Sequence, residues 1–291
     1  MKYEGMIYRP PSEAYSLILQ VTVGCSHNRC TFCGSFKDKK FRVKSLEEIR
    51  EDVEEAKAYE RYVKKVFLAD GDALIIPQKR LIPIFELIRG AFPRLERIGI
   101  YGNAKSILKK SVDELKTLKE MGLGIIYLGV ESGDQVTLDR VNKGTTLDKM
   151  AAAAARVKEA GITLSVTVLL GLGGVERSEI HAEETGKFLS GIDPDYVGAL
   201  SLIIVPGTPL AKEIENGTFI VPDPYQLLRE LSIMIANTNV THTFFASNHA
   251  SNYLPIKVWL PEDKARALRA INHVLNRRDA ALLRPESSRA L

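Results

Sequence analysis

The three cysteines of this chain stand in one short stretch, Cys25-Ser26-His27-Asn28-Arg29-Cys30-Thr31-Phe32-Cys33, and the rest of its 291 residues contain none. Three thiolates so close together can hold a metal centre. In a four-iron, four-sulfur cluster they leave one iron without a protein ligand, and an open iron is a place for chemistry. His27, inside the same loop, offers another possibility, a tetrahedral Cys3His zinc site. An odd cysteine count at short spacing speaks against a disulfide framework and for reduced, metal-binding thiols.

Such a loop needs a rigid element to carry it. Tyr15-Ser-Leu-Ile-Leu-Gln-Val-Thr-Val23 reads as a buried strand that delivers Cys25 just past its carboxyl end. Ser45-Leu-Glu-Glu48 has capping-box spacing and opens an amphipathic helix through Ile49, Val53 and Ala56. The alternation continues with a strand Val66 to Ala69, a helix Pro77 to Gly90, a strand Ile98 to Tyr101 and a helix opened by the Ser111 to Glu114 capping box. Strand Gly124 to Gly129, helix Leu147 to Ala160 with its alanine run, strand Leu164 to Leu170, helix Glu179 to Leu189 and strand Tyr196 to Val205 complete it. Six βα units at periods of roughly 30 residues predict parallel strands with right-handed helical crossovers. Either an open doubly wound sheet or an incomplete barrel fits, and both put ligand-binding loops at the carboxyl ends of strands. Beyond Gly207 the pattern changes to a helix near Leu227 to Ala236, a polar and aromatic segment His242 to Tyr253, and a final helix Glu262 to Asn276.

Hydrophobic residues make up 45% of the chain and charged residues 26%, ordinary for a folded protein with a substantial core. Basic side chains number 40 against 36 acidic, and the net +4 is too small to point to nucleic acid. The opening MKYEGMIYRPPSEAYS has no apolar leader, and no run of about 18 apolar residues occurs anywhere. A cytoplasmic protein without a membrane partner is expected.

The cysteine loop, with Phe32 just before its last cysteine, resembles the cluster loop of the radical S-adenosylmethionine (SAM) superfamily; its first gap, Ser26 to Arg29, is one residue longer than the commonest family spacing. Further likenesses fall in order at later strand ends. Asp70-Gly71-Asp72 follows the second strand, where the family usually has a Gly-Gly-Glu-like segment that receives the SAM amino group. Glu131-Ser132-Gly133 follows the fourth, within YLGVESGDQVTLDRVNKG, a run similar to oxygen-independent coproporphyrinogen oxidases and methylthiotransferases. That likeness implies that Glu131 contacts the ribose or methionine part of SAM and that Lys143 pairs with the carboxylate. Leu170-Gly171-Leu172-Gly173-Gly174 is similar to the adenine-contact segment, and Ile204-Val205-Pro206-Gly207-Thr208-Pro209-Leu210 ends the sixth strand as in the related enzymes. Singly, each has a plainer reading: Gly and Pro serve turns, Asp70 and Asp72 cap one, and Glu131 is an exposed carboxylate.

The resemblance covers roughly residues 14–210 and implies an α/β fold, a partial (β/α)6 barrel of parallel strands with a C-terminal α/loop extension. Residues 1–210 would form the core, with the cluster loop at 24–34. Residues 211–291 would be an extension covering the barrel mouth, its tail 277–291 either docked or flexible. Cys25, Cys30 and Cys33 would ligate a 4Fe–4S cluster, while Phe32, Asp70, Gly71, Asp72, Glu131, Ser132, Lys143, Gly171 and Val205 would bind SAM. The implied activity is reductive cleavage of SAM to a 5′-deoxyadenosyl radical that abstracts hydrogen, fed by a flavodoxin- or ferredoxin-like electron donor and sensitive to oxygen. With every cysteine in one loop, no second cysteine-ligated cluster is expected, nor a separate cobalamin or RNA-binding domain.

The substrate is not legible. Asn248, His249, Ser251 and Asn252, polar groups among aromatics, are the first candidates to contact it, and Tyr101 and Asn103 after the third strand are the next. Tyr101 has a core reading and Asn103 a capping reading. His181 and His273 fall in predicted helices and read as structural or exposed. A small metabolite is the expected substrate; peptide or RNA modification is the enzyme alternative, and a redox sensor that binds a cluster and SAM without turnover is the non-catalytic one.

Overall fold

A computed structural model describes residues 1–290. Its strands are β1 (Leu17–Gln20), β2 (Thr22–Val23), β3 (Arg42–Val43), β4 (Lys65–Ala69), β5 (Arg97–Tyr101), β6 (Leu123–Glu131), β7 (Thr163–Leu170), β8 (Tyr196–Ser201), β9 (Thr243–Ala246) and β10 (Lys257–Leu260). The helices are α1 (Leu46–Ala56), α2 (Gln78–Ala91), α3 (Ala104–Leu108), α4 (Val112–Glu120), α5 (Gln135–Arg140), α6 (Leu147–Glu159), α7 (Gly174–Ile192), α8 (Pro209–Glu215), α9 (Pro224–Asn237) and α10 (Lys264–Arg277). Eight strands form one sheet in the order β1-β4-β5-β6-β7-β8-β9-β10, and β2 pairs with β3 alone. The pairs β1 with β4, β4 with β5, β5 with β6, β7 with β8 and β8 with β9 are parallel, while β10 runs antiparallel to β9 and β2 antiparallel to β3. The mostly parallel α/β sheet of the sequence reading is therefore present, with two strands more than the βα periodicity supplied.

Local chemistry accounts for the helix starts. Ser45 with Glu48 and Ser111 with Glu114 form complete capping boxes, as their spacing predicts, and Asp223 with Gln226 forms a third at α9. Tertiary contacts account for the departures. The reading started α7 at Glu179, but the helix opens at Gly174, where Val175 N–H donates to Ile220 O at 2.9 Å. The sixth strand ends at Ser201 rather than Val205, because Leu202 and Ile204 leave the sheet for a hydrophobic cluster with Phe32, Leu172, Leu210 and Phe219.

Residues 211–290 carry helices α9 and α10, as expected, and in addition the strands β9 and β10. Thr243-Phe-Phe-Ala246 alternates buried and half-buried side chains and pairs with β8, but four residues among polar neighbours are too few for a period to stand out. The tail is docked as far as it is described. Arg284 donates to the carbonyls of His249 and Asn252, and Arg289 to those of Ser251 and Leu202; the last residue of the predicted tail, Leu291, lies outside the described residues.

The chain clusters into two compact units, one of Met1–Asn28, Ser35–Leu128 and Ala152–Leu164, the other of Arg29–Gly34, Gly129–Ala151 and the residues from Ser165 onward. In the first, Phe67 packs edge-on against Tyr101 and Tyr127, with Ile125 and Ile18 around them. In the second, α7 and α9 lie so close that a Cβ on Gly186 would come within 2.6 Å of the Met234 carbonyl oxygen. No helix among the described residues is long and apolar enough to cross a membrane.

Candidate cofactor site

In the first unit the site begins at Gly24 and Cys25, just past β2. Gly24 has φ +76° and its N–H donates to Asp70 Oδ2 at 3.0 Å. Asp70, the residue after β4, is fully buried, and the same oxygen accepts from Gln20 Nε2 at 2.9 Å and pairs with Lys39 Nζ at 3.0 Å. The carboxylate thus binds the start of the cysteine loop to two strand ends. Gly71 follows, and the reason for glycine is spatial: a Cβ there would lie 2.6 Å from the Phe36 ring and 3.0 Å from Cys25 Cβ.

Asp72 is also buried. It accepts from Ser26 Oγ, from Asn103 Nδ2 at 2.8 Å and from Asn103 N–H at 3.2 Å. Burial pushes its carboxyl above the usual range, against the Ser26, Ser106 and Asn103 hydrogen bonds that favour the anion. Asn103 serves two purposes, since its Oδ1 also caps α3 by accepting from Ser106 N–H at 2.9 Å. Ser26, Asp72 and Asn103 are therefore brought together next to Cys25. Tyr101 sits in the aromatic core, and burial raises its phenol well above the ordinary value.

In the second unit, the loop residues 29–34 are pinned by their main chain. Thr31 N–H donates to Val141 O at 2.9 Å, Leu210 N–H donates to Thr31 O at 3.1 Å, and Phe32 packs in the apolar cluster. Gly34 lies against Val205, whose Cγ1 would be 2.4 Å from an added Cβ. At the end of β6, Glu131 has φ +66° and its Oε1 meets Lys143 Nζ at 2.8 Å. Gly129 clears the space for that pair, because a Cβ there would fall 2.3 Å from the Glu131 oxygen. Ser132 Oγ hydrogen-bonds His181 Nδ1 at 2.7 Å, while His181 Nε2 lies 2.9 Å from Leu169 O. This fits the Nε2–H tautomer, and burial pushes the imidazole down to about 4, so it stays neutral near pH 7. Gly171, after β7, has φ +85°, open to glycine at little cost.

The substrate candidates separate. Asn248 is exposed and His249 half-buried, with His249 Nδ1 3.0 Å from Ser251 Oγ. Burial and then Arg284 lower the His249 pKa. Ser251 and Asn252 are buried: Ser251 Oγ accepts from Ser201 N–H at 3.2 Å, and Asn252 bonds Ser201 Oγ and Ala199 O, both at 2.9 Å. The sequence reading passed over Lys39, Gln20 and Glu230, and took His181 for a plain helix residue. Glu230 carried a signal, an acidic side chain on the apolar stripe Leu227, Leu231 and Met234. Lys39 carried none.

The fit of a cluster rests on donor chemistry. All three cysteines are half-buried and outside any disulfide, and Gly71 leaves room beside Cys25. Among the described residues no three His, Cys, Asp or Glu side chains are already gathered as a metal cage. Three thiols on one loop nonetheless match the donor set of an open-site iron–sulfur cluster.

A family model described as the radical SAM superfamily matches residues 19–184. Among curated proteins, the chain is 28% identical over 196 residues to an uncharacterized methyltransferase of Pyrococcus horikoshii, covering 66% of this chain and 40% of that protein. It is 26% identical over 217 residues to the anaerobic magnesium-protoporphyrin IX monomethyl ester cyclase of Cereibacter sphaeroides, covering 74% and 34%. The chain therefore spans well under half the length of either relative. Among solved structures, it is similar to coproporphyrinogen III oxidase from Escherichia coli, with TM-score 0.54 and 18% identity over 76% of this chain and 51% of that one. Methylornithine synthase gives TM-score 0.54 and 19% identity over 77% and 63%. At such identities the structures speak for the partial-barrel fold alone.

Proposed function

We propose, since this chain belongs to the radical SAM superfamily, that it is an enzyme that cleaves SAM reductively at a single 4Fe–4S cluster and takes hydrogen from a small metabolite. The observation that carries the reading is the loop Cys25-x4-Cys30-x2-Cys33 at a strand's carboxyl end, inside the matched region. When bound, the cluster supplies one electron to the SAM sulfonium, which yields methionine and a 5′-deoxyadenosyl radical.

The chain's own residues bind and orient. Cys25, Cys30 and Cys33 hold three irons as thiolates, and the hydrogen bonds of Asp70 to Gly24 and of Asp72 to Ser26 restrain the segment around the first of them. Glu131 and Lys143 form a paired charge at the end of β6, suited to the ribose hydroxyls and the carboxylate of SAM. The turn at Gly171 admits the adenine, because glycine leaves the backbone open to close approach. Val205 and Phe32 supply apolar walls that exclude water. Residues 1–210 serve as the cofactor-binding core and 211–291 as the part that selects substrate, with exposed Asn248 and half-buried His249 as its contacts. In this reading a flavodoxin- or ferredoxin-like protein delivers the electron, and the need for reduced thiols supports a cytoplasmic location.

The test is anaerobic reconstitution and reduction with dithionite, followed by addition of SAM and measurement of 5′-deoxyadenosine with iron and sulfide. Product that depends on all three cysteines supports the reading. Zinc without iron, or a fully loaded cluster with no product at all, counts against it.

A further inference from the structure

Glu230 is a buried carboxylate that the proposed chemistry leaves unused. On α9 its neighbours Leu227, Leu231 and Met234 are buried apolar side chains, and a carboxylate in such company must be compensated by hydrogen bonds. Its Oε2 accepts from Gly171 N–H at 2.6 Å and its Oε1 from Ser178 Oγ of α7 at 2.7 Å. One turn further along α7, His181 Nε2 lies 4.0 Å from Oε2. The turn lies directly against α9, since a Cβ on Gly171 would come within 2.8 Å of Leu227 Cδ2.

We propose that Glu230 is a positioning residue for SAM: by gripping the Gly171 N–H and the Ser178 hydroxyl together, it holds the turn after β7 in the conformation that receives the adenine. The inference rests on the radical SAM reading of that turn. A glycine at φ +85° has little conformational preference of its own, so hydrogen bonds select the conformation: the turn's own Gly174 N–H to Gly171 O at 3.1 Å and, from α9, the Glu230 grip on Gly171 N–H. Removing the acceptor leaves a buried N–H unpaired, which a turn relieves by moving.

The charge of Glu230 then matters. Burial pushes its carboxyl up to about 7, against the Ser178 and Gly171 hydrogen bonds that favour the anion. The titratable groups around it do not change in that range: His181 of α7 is neutral, Arg177 of α7 is held by Asp134, and Arg229 of α9 by Glu179 of α7. A protonated Glu230 presents a donor where two donors already point. The grip is therefore complete above about pH 7 and weakens below it.

The experiment measures equilibrium binding of S-adenosylhomocysteine to the cluster-loaded full chain, with iron per chain determined on the same samples. Affinity of the unaltered protein is expected to fall about tenfold from pH 8 to pH 6. Glu230→Ala is expected to weaken binding at pH 8 by roughly ten- to hundredfold at unchanged iron content. Glu230→Gln, a neutral stand-in for the protonated carboxyl at the same two partners, should bind at every pH about as the unaltered protein does at pH 6, which flattens the pH profile. Unchanged affinity in Glu230→Ala, or an unchanged pH slope in Glu230→Gln, overturns the proposal; if the alanine variant does not fold, the glutamine profile decides. No binding by the unaltered protein at any pH would instead overturn the SAM reading on which the proposal stands.

Discussion

Two lysine–carboxylate pairs stand at strand ends, Lys39 with Asp70 after β4 and Lys143 with Glu131 after β6, and their distances are alike at 3.0 and 2.8 Å. Their surroundings are not. The first pair is 4% and 0% exposed, and one oxygen of Asp70 takes three donors; the second is 13% and 12% exposed. A carboxylate committed to Gln20, Gly24 and Lys39 fixes backbone, whereas a pair with an open side can exchange a contact for a ligand. The same chemical pair is thus fully enclosed in one turn and partly open to solvent in the other.

The widest separation between holding a fold and holding a cofactor comes from Cys30→Ala, which removes neither pair. Cluster iron and SAM cleavage should be lost together while the thermal melt of the metal-free protein stays put; full cleavage with retained iron would break the ligand assignment. Lys39→Ala tests the buried pair. It strands a buried carboxylate and should cost about 3–5 kcal/mol, seen as a melting temperature lowered by roughly 10 °C. A melt within a degree or two of the parent would show that the Lys39 pair is no more structural than the other.

Lys143→Ala should cost less stability, about 1–3 kcal/mol for a pair 13% and 12% exposed, but weaken S-adenosylhomocysteine binding roughly tenfold. Equal losses of stability in the two lysine variants would erase the distinction drawn here. The finest contrast lies within the segment 248–252. Asn248→Ala should shift stability by no more than about 0.5 kcal/mol and leave SAM cleavage without substrate intact while lowering substrate turnover. Asn252→Ala, which deprives Ser201 and Ala199 of their partner, should cost about 1–3 kcal/mol. Chemical denaturation with a 5′-deoxyadenosine assay separates the two, and an inert Asn248→Ala would remove that residue from the substrate site.

What could be read along the chain was whatever depends on near neighbours. The cysteine spacing, the capping boxes at Ser45 and Ser111 and the buried strands all follow from residues within a few positions of one another. Gly71 was visible in a strand-end segment and Gly129 as the last residue of a strand, but not the reason for either, because the Phe36 ring and the Lys143 that pairs with Glu131 reach them only in the fold. Strand β9 was hidden by its brevity, and it becomes a strand through its pairing with β8 and β10.

Covalent order sufficed for the donor set, the alternation of strands and helices, and the succession of glycine and carboxylate turns at strand ends, since each is a property of short segments. Which carboxylates are committed was settled by folding. Lys39 reaches Asp70 across 31 positions, Glu230 reaches Gly171 across 59, and Arg289 reaches Leu202 across 87. Burial and hydrogen-bond partners of this kind depend on distance in space, so two aspartates, two glutamates and four asparagine-loop residues that look equivalent in the chain acquire different roles only when it is packed.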